Sequence, residues 1–204
     1  DDISLHYYLL ASKDGITIGK RYFKHENNKE DYPFSPSGHN LYDNNSKLYY
    51  CRDFDNIVYQ IHEDSVVPRF RINLPNPLPA SMIEERPNEM SLLRSGYSLG
   101  ITDIYEYGGL LFFRFVKDGY IWSCLYNVEE SKQVYCAKRI KFLDSSLIDT
   151  IDGIYKDCFY SILTPEYLDY AFSENPLEDY PDLFKTYDVE GDNPVIAFYR
   201  AVVR

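Results

Sequence analysis

Short runs rich in Tyr, Phe, Ile and Val alternate along this chain with Asp-, Asn- and Gly-rich turns, and the apolar positions recur with the period of two expected of strands. The segment from residue 40 shows this most clearly. Asn40–Tyr42 leads through the turn Asp43-Asn44-Asn45-Ser46 into the strand Lys47–Cys51. Arg52-Asp53-Phe54-Asp55-Asn56 turns the chain into Ile57–Ile61, and His62-Glu63-Asp64-Ser65 turns it again into Val66–Asn73. The alternation places Ile57, Tyr59 and Ile61 on one face of their strand. On the next strand it groups Val66, Phe70 and Ile72, with Arg69 and Arg71 facing the other way. Turns recurring at this spacing predict a sheet built strand after strand.

A second meander is predicted over Ile101–Tyr107, Leu110–Val116, Tyr120–Val128 and Ser131–Arg139, with turns at Gly108-Gly109 and Lys117-Asp118-Gly119. Four strands in about 40 residues is the spacing of a propeller blade. Ahead of both units, Ile3–Ala11 and Ile16–Lys24 read as a strand pair around Ser12-Lys13-Asp14-Gly15, followed by a polar loop over Glu26–His39. Leu74–Tyr97 breaks the rhythm. Pro75, Pro77, Pro79 and Pro87 forbid a regular strand there, and Ala80–Glu85 and Asn88–Arg94 each suit a short helix. Towards the C-terminus, Asp149–Tyr155 and Cys158–Leu163 read as strands. Thr164-Pro165-Glu166 reads as a cap opening a helix over Tyr167–Ser173, Asp179–Thr186 as a second short helix, and Pro194–Val203 as a closing strand. No linker divides the chain, so a single all-β domain over residues 1–204 is expected: four-stranded antiparallel meanders of the propeller-blade type, with a few short helices.

Composition sharpens this picture in one respect. Of 204 residues, 21 are Tyr, 12 Phe and one Trp, a supply of rings that suits pleated, half-buried surfaces better than helices. A net charge of −11 argues against a polyanionic partner such as nucleic acid, which needs clustered Lys and Arg. The local basic spots, Arg69 with Arg71 and Lys138-Arg139-Ile140-Lys141, read as solvated strand edges. No apolar run approaches the roughly 20 residues that span a bilayer as a helix.

Candidate chemistry is sparse. His6, His25, His39 and His62 are scattered without a metal-ligand spacing, so no metal or cofactor is expected. Asp149, Asp152 and Asp157 surround Gly153 without the calcium-loop spacing and read as turn residues. Ser35-Pro36-Ser37-Gly38, Ser95-Gly96 and Ser145-Ser146 contain no nucleophile elbow, so no catalytic residue is assigned. Asn44-Asn45-Ser46 matches a glycosylation sequon. Trp122 with Tyr105, Tyr107 and Tyr120 reads either as a stacking platform for a sugar or peptide, or as rings packed between sheets. Cys124 and Cys136 sit symmetrically about Glu130, so a hairpin sets them opposite each other, as a cross-strand bridge or as two small buried hydrophobes.

Two stretches carry a resemblance. Arg52-Asp53-Phe54-Asp55-Asn56-Ile57-Val58-Tyr59-Gln60-Ile61, followed by Val67-Pro68-Arg69-Phe70-Arg71-Ile72, is similar to a strand pair of the form D-x-I-Y-x-I then P-K-Y-x-I. Gly191-Asp192-Asn193-Pro194-Val195-Ile196 is similar to a terminal D-N-P-V-L strand. Both belong to the six-bladed β-propeller family of Bacteroides-type bacteria, whose members are secreted or lipid-anchored, and the resemblance runs from about residue 40 to the C-terminus. It implies that the chain forms the last three to four blades, at about 40 residues each, with the ring completed by further N-terminal sequence or by a second copy, or the strands curled into another closed form. It also implies an extracytoplasmic location with a lipid anchor outside this chain. The function expected is a non-enzymatic binding or scaffold module for a glycan or protein ligand. The alternative is a glycan-acting hydrolase or lyase on the same scaffold. Leu74–Tyr97 is the most prominent loop expected near a ligand.

Overall fold

A computed structural model describes residues 7–14, 17–24, 39–85, 87–138, 140–142, 145–148, 151–174, 182–188, 190–191 and 193–200. The expectations at His6, His25, Ser35–Gly38, Arg139 and Asp149 fall outside them. At the N-terminal end, β1 (Tyr7–Ser12) and β2 (Ile18–Lys24) pair antiparallel. The first full meander is β3 (Leu41–Asn44), β4 (Lys47–Cys51), β5 (Ile57–Ile61) and β6 (Val66–Arg71), hydrogen-bonded in that order. β3 runs further than the pattern predicts, because the turn needs only Asn45 and Ser46. Both have positive φ, 46° and 74°, the left-handed pair of a two-residue hairpin whose twist matches its strands.

One feature of β6 corrects the face expected for its side chains. A bulge shifts the register, so that Val58 lies opposite Phe70 and Tyr59 opposite Pro68. Arg69 is the extra residue. Phe70 and Ile72 therefore pack against the core on the side of Val58, while Val66 lies opposite Ile61 on the other face. Arg69 reaches Glu106 instead of pointing outward with Arg71. Pro68 is tolerated because β6 is the edge of its sheet.

The proline-rich connection carries α1 (Ala80–Glu84) and α2 (Glu89–Leu93), the latter capped by Asn88 accepting from the Ser91 N–H at 2.9 Å. The second meander follows: β7 (Ser98–Tyr107), β8 (Leu110–Lys117), β9 (Tyr120–Asn127) and β10 (Lys132–Ala137), again paired in order. Gly100 fixes where this sheet meets the first. A Cβ there would lie 2.7 Å from the Phe54 Cα, and its φ is +102°, so two backbones touch where only glycine fits. Cys124 and Cys136 are register partners on β9 and β10, with Cα atoms 4.1 Å apart and the sulfurs joined as a disulfide. The bridge, not the pair of small hydrophobes, is what the hairpin builds.

A short hairpin, β11 (Ile140–Phe142) with β12 (Ser145–Ile148), was not foreseen from the pattern. The third sheet holds β13 (Gly153–Tyr155), β14 (Cys158–Leu163) and β15 (Val195–Tyr199). Between its last two strands lie α3 (Pro165–Glu174) and α4 (Asp182–Lys185), which bury Leu168, Ala171 and Phe184 against Leu163.

The result is a mostly β molecule of antiparallel sheets with a few short helices. One core cluster draws on all three larger sheets, through Tyr42, Tyr49 and Val58, then Ile104, Phe112 and Phe115, then Phe159. The β7–β10 sheet lies in the middle. Its β7 touches β3 and β4 on one side and β13 on the other, and β13 also touches β3. The first strands of all three sheets thus converge. Among the described residues the sheets do not close into a ring.

Candidate functional site

The convergence of β3, β7 and β13 leaves a cavity of about 280 Å³. Its wall is mostly polar, with Asp43 and Asn45 from the end of β3 and the turn after it, Tyr105 from β7, and Asp152, Gly153 and Tyr160 from the third sheet. His39 and Tyr42, with their rings 4.7 Å apart, and the apolar Leu41 and Ile154 complete it. These residues come from three distant stretches of sequence, and no spacing motif joins them.

Most of the wall is braced by hydrogen bonds. Tyr42 donates its hydroxyl to the His39 carbonyl at 2.8 Å, and Tyr105 donates to the Asp152 carbonyl at 3.0 Å. The Asn45 amide donates to the Lys156 carbonyl at 3.0 Å, tying the β3–β4 turn to the β13–β14 turn. Asp152 Oδ2 accepts from the Ile162 N–H at 2.7 Å. Burial, helped by the nearby carboxylates of Asp103 and Asp152, raises the Tyr105 hydroxyl above its ordinary range, so it remains a donor. Two groups are left over. The Asp43 carboxylate and the Tyr160 hydroxyl have no hydrogen-bond partner among the described residues and are available to a ligand.

A charged network fixes β3, β4, β6 and β7 to one another. Glu106 accepts from Lys47 Nζ at 3.1 Å, Arg69 at 2.9 Å and the Tyr49 hydroxyl. Burial raises the Glu106 carboxyl, but these three donors outweigh it and hold the group below its ordinary range. Asn44 is buried in the same region. Its amide donates to the Ile104 carbonyl at 3.0 Å, and its oxygen accepts from the Glu106 N–H at 2.6 Å. That commits the sequon asparagine to holding two sheets together and removes it as a glycan attachment point in the folded chain. A second ion pair, Asp103 with Arg114 at 2.6 Å, is nearly buried within the β7–β8 pair.

The aromatic platform does not assemble. Tyr105 is buried, with its ring against Phe112, and Tyr107 packs edge-on against Phe159. Trp122 stacks on Phe115 at 6.2 Å between centroids, and its indole N–H is buried without a partner. Tyr120 is exposed, but the Lys138 ammonium lies 3.4 Å from its ring centroid and covers one face. Of the four rings, Tyr105 alone reaches the cavity.

The remaining expected groups lie apart. Asp157 pairs with Arg200 at 2.5 Å, away from Asp152, and no group of three His, Cys, Asp or Glu fit to hold a metal occurs among the described residues. The Ser95 hydroxyl donates to the Leu92 carbonyl at the end of α2. The Cys51 thiol is pushed well above its ordinary range by burial and the neighbouring Asp55 and Asp53, so it is held in the inert protonated form. No helix among the described residues is long and apolar enough to cross a membrane.

No family model and no curated protein matches the chain. In structure it is similar to a Bacteroides fragilis protein that carries the name of an exported protein, with a TM-score of 0.68 at 14% sequence identity. The likeness covers 97% of this chain and 58% of the other, so this chain spans somewhat more than half the length of that one. At that identity it is the fold that is shared.

Proposed function

We propose that this chain is an extracytoplasmic binding module, part of a β-propeller, that takes a small saccharide into the cavity where β3, β7 and β13 meet. The observation that carries this reading is the cavity wall: an unpartnered carboxylate on Asp43 and an unpartnered hydroxyl on Tyr160, set among tyrosine rings and braced amides. Sugar hydroxyls donate to such a carboxylate, and the apolar face of a sugar ring lies well on tyrosine. A volume near the small end of ligand cavities suits a mono- or disaccharide better than a protein loop. The radial arrangement is supported by the mutual contact of the three first strands and by the stacking of successive sheets. The location is supported by the Cys124–Cys136 disulfide, a bond that persists in oxidising compartments, and by the name of the Bacteroides fragilis neighbour.

A glycan hydrolase is the second reading, because Asp43 and Asp152 both line the cavity and glycoside hydrolysis works with a pair of carboxylates. Calorimetric titration of a saccharide panel, with product analysis of each mixture, separates the two. Binding without turnover is expected, weakened at least about tenfold in Asp43→Asn by loss of a charged acceptor and unchanged in Trp122→Ala. Failure of every saccharide to bind, or an Asp43→Asn variant that binds like the parent, would sink the module. Cleavage that disappears in Asp152→Asn would replace it with the hydrolase.

A further inference from the structure

The cavity where β3, β7 and β13 meet has two carboxylates in its wall, and among the described residues neither has a cationic partner. Asp43 is exposed and Asp152 is half-buried. Elsewhere a carboxylate drawn out of solvent rests on a basic side chain: Asp103 on Arg114 at 2.6 Å, Asp55 on Arg52 at 2.6 Å, and Glu106 on both Lys47 and Arg69. Such pairing offsets what it costs to desolvate the charge. Asp152 instead accepts the Ile162 N–H on one oxygen, and neither it nor Asp43 has an ion pair.

The lysines on the turns that frame the cavity are engaged elsewhere. Lys47, just after the β3–β4 turn, reaches Glu106 at 3.1 Å. Lys156, in the β13–β14 turn, sets its ammonium 5.2 Å from the centroid of the Tyr155 ring. Four rings stand beside the two carboxylates in the wall, those of His39, Tyr42, Tyr105 and Tyr160. The face of such a ring attracts a cation that approaches within about 6 Å. Gly153 makes room for one of them. A Cβ there would lie 2.7 Å from both Cε1 and the hydroxyl oxygen of Tyr160, its register partner, so the phenol lies across β13 at the cavity wall. The Tyr105 hydroxyl records the field that results: burial first, then the carboxylates of Asp103 and Asp152, hold it above its ordinary range.

We infer that the cavity selects a saccharide bearing a free ammonium group, an amino sugar, over its neutral, acetylated and acidic counterparts. The ammonium supplies the charge that Asp43 and Asp152 lack and donates to their open oxygens, while the sugar ring lies on tyrosine. An acidic sugar would add a further negative charge with no lysine or arginine in the wall to meet it. The net charge of −11 acts in the same direction, because it draws cations to the surface. This inference rests on the cavity being the saccharide site and adds the charge of what it holds.

Calorimetric titration at pH 7 with glucosamine, N-acetylglucosamine, glucose and glucuronate gives the order of preference, and ethanolamine presents the ammonium without the ring. Glucosamine is expected to bind at least about tenfold more tightly than glucose or N-acetylglucosamine, with glucuronate the weakest. Ethanolamine is expected to trail glucosamine by about tenfold. In the Asp43→Asn, Asp152→Asn double variant, which keeps side-chain size and an acceptor for the Ile162 N–H, glucosamine should fall to the level of glucose. Asp43→Lys, at an exposed position that tolerates a change of charge, is the second variant and should place glucuronate ahead of glucosamine. Glucose or N-acetylglucosamine binding as tightly as glucosamine would overturn the inference while leaving the cavity a saccharide site. So would a glucosamine preference that survives in both variants. Ethanolamine matching glucosamine would replace the amino sugar with a simple amine. Failure of all four sugars to bind is a separate result, which removes the saccharide reading and this inference with it.

Discussion

Replacing Glu106 with Gln tests whether a single carboxylate binds the first two meanders together. The side chain is 9% exposed and accepts from three donors on β4 and β6. Tyr49 is fully buried, so its hydroxyl bond is the strong one, and losing charge assistance there costs about 1 kcal/mol. Lys47 and Arg69 remain 43% and 39% exposed and rehydrate when the charge is removed, so each adds at most about 1 kcal/mol. The expected loss at neutral pH is about 2 kcal/mol. Glu106→Ala, which also strands the Tyr49 hydroxyl, loses about 2 kcal/mol more.

The pH dependence has a definite sign. The folded carboxyl titrates below its unfolded value of about 4.3, so its contribution is present above that pH and is lost as pH falls through the folded value. Urea unfolding at pH 7, 5 and 3, followed by Trp122 fluorescence, should show parent and Glu106→Gln well separated at pH 7 and drawing together at pH 3, with equal slopes. A variant as stable as the parent at pH 7, or a gap that stays constant down to pH 3, would refute the network's role.

Two further perturbations have readable outcomes. Gly100→Ala should destabilise by about 3 kcal/mol or more, since the new Cβ meets the Phe54 backbone and the φ of +102° strains any side chain; a melting temperature within a degree or two of the parent would contradict the contact between sheets. Reducing Cys124–Cys136, with a sequence separation of 12, should cost roughly 3 kcal/mol in the loop-entropy account, read as a fall in melting temperature with reductant that is absent in the Cys124→Ser, Cys136→Ser double variant.

Much of the strand layout was legible because turn chemistry punctuates it. Lys47–Cys51, Ile57–Ile61 and Cys158–Leu163 have the bounds that their flanking Asp, Asn and Gly residues predict. The β6 faces were misassigned because a bulge leaves no mark in a periodic pattern; Arg69 looks like any outward residue until Val58 is seen opposite Phe70. The β11–β12 hairpin was hidden by the charges at Lys138 and Lys141 and by strands too short to show alternation. The platform failed for a packing reason. β7 is enclosed by sheets on both sides, so Tyr105 is drawn into the core and not presented to solvent. The cavity could not be foreseen, because Asp43, Tyr105, Asp152 and Tyr160 are brought together only by the meeting of three first strands.

That meeting point is best tested by mapping backbone amide shifts while a binding saccharide is titrated into isotope-labelled protein. The account predicts that Asn45, Tyr105 and Gly153, one from each sheet, shift together with a single dissociation constant, while Tyr120 and Trp122 stay still. Shifts confined to β9, with the three converging strands unmoved, would contradict it.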